Sequence, residues 1–188
     1  MKKYLKAVLT LVLVVTISTV LVWGVNEITA PIIEERGSAG AAKAYYALVN
    51  DDAAKGTDIT DDLSGLDAAG IKSVMKLELS DGTIAYGMQV EATGYHSGLI
   101  YATAVNMETK TFYGISIIAN EETAGYGKTL LAEPAFLAYF EGLSLEGAID
   151  VKNSGTDMTT VASKTTKGMT TSINAVAAFA LANLGGEA

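Results

Sequence analysis

Residues 75–90 read Met75-Lys76-Leu77-Glu78-Leu79-Ser80-Asp81-Gly82-Thr83-Ile84-Ala85-Tyr86-Gly87-Met88-Gln89-Val90, and their period decides the fold class. Met75, Leu77 and Leu79 alternate with Lys76, Glu78 and Ser80. After Asp81-Gly82-Thr83, Ile84, Tyr86, Met88 and Val90 alternate again. Period-two alternation on both sides of a glycine-containing turn marks a β-hairpin. A second such pair follows, residues 99–105 and 112–118, joined through Glu108-Thr109-Lys110. Helical signal returns at 133–141. In the alanine-rich end of the chain, Ile173, Val176, Ala177, Ala180 and Leu184 fall on one helical face, which predicts a helix from about Ser172 to Leu184. Upstream, the small residues of 38–44 followed by Tyr45, Tyr46, Leu48 and Val49 predict a short helix. Residues 51–70, polar and rich in Gly and Asp, read as surface loop. Helix, strands, helix, a strand or loop, and helix in that order predict an α+β domain with an antiparallel sheet and flanking helices.

Before this domain, Lys2, Lys3 and Lys6 precede an uncharged apolar stretch, 7–25. As a helix it would span roughly 28 Å, close to the hydrocarbon thickness of a bilayer. Trp23 sits where interfacial aromatic residues gather, and the lysine bias predicts a cytoplasmic N-terminus. The stretch exceeds the apolar region of about 7–15 residues expected of a cleaved signal peptide. Without cysteine, a lipoprotein anchor is excluded. The expected organisation is a cytoplasmic stub and transmembrane helix (1–26), a juxtamembrane linker (27–36) carrying Glu27, Glu34 and Glu35, and one extracytoplasmic domain (37–188). Thr16, Ser18 and Thr19 lie inside the span, able to bond to neighbouring helices or back to their own.

Composition removes several classes. A net charge of −8 is the opposite of a nucleic-acid footprint. The absence of cysteine removes disulfides, thiolate metal ligands, iron–sulfur clusters and cysteine nucleophiles from this chain. A single histidine, His96, leaves no basis for a histidine-rich metal site or a Ser-His-Asp triad.

Three stretches carry candidate chemistry. Lys164-Thr-Thr-Lys-Gly-Met-Thr-Thr-Ser-Ile-Asn-Ala-Val176 places a glycine and hydroxyl residues directly before the predicted helix. Thr170, Thr171 and Ser172 then stand at its mouth, where side-chain oxygens cap free N–H groups or the helix end receives a phosphate. Both readings remain open on physical grounds. Gly94-Tyr95-His96-Ser97-Gly98-Leu99-Ile100 reads as a tight turn bracketed by glycines. Asn120-Glu121-Glu122-Thr123-Ala124-Gly125-Tyr126-Gly127 reads as an acidic-edged loop whose glycines permit positive φ and close backbone approach.

Together these stretches resemble the FMN-binding domain family of RnfG and NqrC, subunits of ion-pumping respiratory complexes. Residues 167–172 are similar to the family's Ser-Gly-Ala-Thr-x-Thr/Ser signature, with Lys167 in the Ser place and Met169 in the Ala place. Residues 94–100 resemble its Gly-Tyr-x-Gly-x-Ile stretch, and 122–127 its Glu-Thr-Pro-Gly-x-Gly loop, with Ala124 in the Pro place. The run 25–35 resembles the segment after the membrane helix in RnfG. The resemblance implies FMN joined by a phosphodiester to Thr170, with Gly168, Thr171 and Ser172 around it. It further implies that Tyr95, Glu122, Thr123, Gly125 and Gly127 belong to the flavin site, and that no residue acts as acid or base on a metabolite. The implied protein is an electron-carrying subunit of an Rnf-type complex, coupling ferredoxin:NAD oxidoreduction to Na⁺ or H⁺ transport. Its implied partners are the other membrane, flavin and iron–sulfur subunits, with a flavin transferase for maturation. The alternatives are an NqrC-like subunit, a stand-alone membrane-anchored FMN protein, and a structural module without flavin.

Overall fold

A computed structural model describes residues 2–185, with side chains described for Tyr4, 8–25 and 40–185. The chain is α+β and divides into two units, one ending at Gly37 and the other beginning at Ser38. Among the described residues, the first unit belongs to helix α1, Lys2–Val49. Its segment Val8–Val25 is long and apolar enough to cross a membrane, and its side chains are exposed almost throughout. Thr16 and Thr19 bond back to the carbonyls of Val12 and Val15, both at 2.8 Å, so their polarity is satisfied within the helix. The lysine and glutamate side chains of the stub and linker lie outside the described residues.

The second unit is built on a five-stranded antiparallel meander in the order β1-β2-β3-β4-β5. The strands are β1 Lys55–Asp58, β2 Ile71–Glu78, β3 Ile84–Ala92, β4 Leu99–Asn106 and β5 Thr111–Ala119. Both expected hairpins form. Gly82 supplies φ +89° in the first turn, and Leu77 pairs with Ala85 across it. In the second, the Asn106 side chain accepts from the N–H groups of Glu108 and Thr109, closing the turn.

Alternation gives the sheet two apolar faces. Leu77, Ala85, Ala102 and Ala104 meet Ala41, Tyr45 and Val49 of α1. Gly87 is bare because the Tyr45 ring occupies that space: an added Cβ would come within 2.6 Å of it. Val74, Tyr86, Met88, Val90 and Tyr101 form the other face and pack on the long helix α5, Ser163–Asn183, through Met169, Ile173, Val176 and Ala180. Short helices connect sheet to α5, among them α2 Gly127–Leu131, α3 Pro134–Ala138 and α4 Met158–Val161.

Several expectations require correction. The helix over 38–49 is the end of α1, not a separate short one. Strand β1 lies inside the stretch read as loop, since an edge strand is held by backbone pairing to β2 and needs no apolar pattern. The helix expected over 133–141 is confined to Pro134–Ala138. Most consequentially, α5 begins at Ser163, not near Ser172. The segment 163–171 is poor in strong helix formers, yet Thr165, Thr166 and Met169 are buried there. Tertiary packing overrides the weak propensity of Thr and Gly.

Candidate functional site

Moving the helix start changes what 167–172 do. Thr170, Thr171 and Ser172 occupy the interior of α5, where amides are already paired, so none stands at a helix mouth. Gly168 is glycine for a packing reason: a Cβ would run into the Thr93 carbonyl oxygen, so its absence lets α5 rest on the loop after β3. Thr170 Oγ1 accepts a 3.3 Å bond from the Val151 N–H. Ser172 Oγ lies 2.8 Å from the Tyr101 hydroxyl, both residues buried, and burial raises the phenol above its ordinary range.

The true start of α5 opens elsewhere. Ala162 stands at its N-cap, so no side chain caps the first-turn N–H groups. Around this end lies a cleft of about 410 Å³, formed by three separate segments of chain. Tyr95 comes from the loop after β3. Glu122 and Thr123 come from the loop after β5, followed by Tyr126 and Gly127 at the start of α2. Val161, Ala162, Ser163, Lys164 and Thr165 come from the α4–α5 junction. Tyr95, Tyr126 and Val161 are more than half exposed, which gives the cleft aromatic and apolar walls. The Lys164 ammonium lies 4.7 Å from the Tyr95 ring centroid.

Glu122 holds these segments together. It is 5% exposed, and its carboxylate accepts from the His96 N–H at 3.1 Å and the Thr165 hydroxyl at 2.6 Å. Gly94 and Gly127 bracket it, and a Cβ on either would collide with the carboxylate. Gly94 and Gly127, one from each loop, therefore serve Glu122 first. Gly125 has φ +80° with open space around the missing Cβ, so the turn requires it and close approach of another group does not. Its N–H donates to Thr129 Oγ1.

A second groove, of about 280 Å³, runs between Thr93-Gly94 and the exposed stripe Lys164, Lys167, Gly168 and Thr171 of α5. It shares Lys164 with the first cleft. Of the residues singled out from sequence, Tyr95, Glu122, Thr123 and Gly127 meet in the first cleft, and Gly168 and Thr171 line the second. Gly125, Thr170 and Ser172 line neither of these. Sequence reasoning missed Tyr126, Val161, Ser163 and Thr165. A signal for Ser163 and Thr165 was present: Ala162, Thr166, Met169 and Ile173 extend the apolar stripe of α5 backwards once the threonine methyl counts as apolar. No protein-family model matches the chain, and no curated protein is significantly similar to it.

Proposed function

We propose that this chain is a membrane-anchored flavoprotein subunit of Rnf type, carrying FMN over the cleft at the start of α5. It would relay electrons within a complex that couples ferredoxin:NAD oxidoreduction to Na⁺ or H⁺ transport. What supports the reading is that Tyr95, Glu122, Thr123 and Gly127, taken from two separate loops, gather around one cleft. The donor set suits a planar ring. Tyr95, Tyr126 and Val161 offer aromatic and apolar cover. The uncapped amides of α5 and the Lys164 ammonium favour negative charge at a ring edge. Glu122 keeps the loops in place. When bound, a flavin supplies the electron-carrying chemistry.

Thr170 is the less suitable acceptor of the two threonines. Thr170 lies five residues beyond Thr165, about 7.5 Å along the helix and about 140° around it, and its hydroxyl serves Val151. Thr171 is exposed and lines the second groove beside Lys164 and Lys167, so it takes the place of Thr170 as the proposed acceptor. In-gel flavin fluorescence after co-expression with a flavin transferase is expected to vanish in Thr171→Val and persist in Thr170→Val. The reverse pattern restores Thr170. The structural partners of Gly168, Thr170 and Ser172 favour a second reading, a module with no covalent flavin. A parent protein without fluorescence would support it.

Orientation rests on Lys2, Lys3 and Lys6 holding the N-terminus in the cytoplasm. A reporter fused at Gly56 is expected to behave as exported, and cytoplasmic activity there would overturn both the orientation and the Rnf reading.

A further inference from the structure

We infer that a cleft at the far end of α5 binds a small organic cation, an ammonium or guanidinium group carried on an apolar stem. It lies at the Asn183 end of the helix, about 30 Å along it from the opening at Ser163, and does not depend on the flavin reading. The cleft holds about 450 Å³. Three of its lining residues form a row across the sheet: Thr57 of β1 pairs with Lys76 of β2, and Lys76 with Tyr86 of β3. Ile59, Asp62 and Leu63 join from the segment after β1, Glu78 from the end of β2, and Asn183 and Leu184 from the end of α5.

The observation that points to a ligand is Tyr86. It is 6% exposed and lines the cleft, yet its hydroxyl bonds to no other group among the described residues. A phenol so nearly buried ordinarily finds a partner. Asn183 donates its side-chain N–H to the Phe179 carbonyl at 2.9 Å, which leaves its side-chain oxygen to accept from a ligand. Charge sets the sign of that ligand. Asp62 and Glu78 outnumber Lys76 in the lining, and no basic residue in the last turn of α5 offsets the partial negative charge of its end. The segment 51–67, which supplies Thr57, Ile59, Asp62 and Leu63, carries six aspartates against one lysine. A metal ion is the wrong cation, because among the described residues no three acidic or histidine side chains gather as its ligands would. Ile59, Leu63 and Leu184 offer apolar cover for a stem. Over residues 40–185 the exposed large hydrophobics are Tyr95, Tyr126, Val161 and Leu181, and none of them lines this cleft. It therefore lacks the anchors of a protein interface, and its size suits a small molecule.

The test titrates the full chain in detergent micelles with n-butylguanidinium and with n-butylurea, its neutral counterpart of the same shape, followed by amide NMR. The guanidinium should shift the resonances of Thr57, Glu78 and Asn183, with an affinity about tenfold above that of the urea. Asp62 is exposed, so Asp62→Asn should fold as the parent does and lose most of the preference for the cation. Tyr86→Phe should weaken binding of the guanidinium severalfold. Asp52→Asn is the control, since Asp52 belongs to the same acidic segment, is exposed, and lies outside the cleft; it should leave the affinity unchanged. Equal affinity for guanidinium and urea would overturn the site. So would shifts away from the cleft, or an Asp52→Asn loss as large as that of Asp62→Asn, either of which marks general attraction to an acidic surface.

Discussion

Replacing Glu122 by Ala is expected to cost about 2–4 kcal/mol of stability and to abolish the proposed binding of flavin in the cleft, because it strands two donors at once. The Thr165 hydroxyl, 1% exposed, and the His96 N–H both lose their acceptor. No neighbouring side chain fills the space, since Gly94 and Gly127 on either side have none to bring in. Glu122→Gln keeps the shape and one acceptor oxygen, and the Thr165 hydroxyl can turn to accept from the new amide. Its cost should be nearer ~1 kcal/mol. Urea unfolding of the two variants checks the order. An alanine variant as stable as the parent would show that the carboxylate does not hold the loops together.

The second large effect turns on a sign. Helix propensity alone says that Gly168→Ala should stabilise α5 by about 0.5–1 kcal/mol. The structure opposes this: the added methyl meets the Thr93 carbonyl oxygen, a backbone atom that cannot rotate away. Forcing α5 off that loop costs about 1–3 kcal/mol as an overpacking strain, and that term outweighs the propensity gain. Gly168→Ala should therefore unfold at lower denaturant and Gly168→Val lower still. Stabilisation by alanine would mean that α5 does not rest on Thr93.

The same glycine shows where the sequence could and could not be read. The hairpins were legible because period-two alternation and the Gly82 turn are local signals, and both hairpins form. The start of α5 was not. Its first turns contain Ser163, Thr165, Thr166 and Gly168, which are weak helix formers, and the burial of Thr165 and Thr166 holds them helical. A glycine followed by hydroxyl residues is compatible with a helix entrance or with a close contact between helix and loop. Only the position of Thr93 decides between them. The two loops were legible as glycine-rich turns, and their meeting at one cleft was not, because Tyr95 and Glu122 are brought together by the pairing of β4 with β3 and β5. Strand β1 escaped notice for the opposite reason: its four residues are all exposed and carry no apolar period.

The most direct measurement is the intact mass of the full chain co-expressed with a flavin transferase. A flavin-carrying subunit should exceed the unmodified mass by one FMN minus water, with the increment absent in Thr171→Val. An unshifted mass in a colourless parent protein would contradict the flavin assignment.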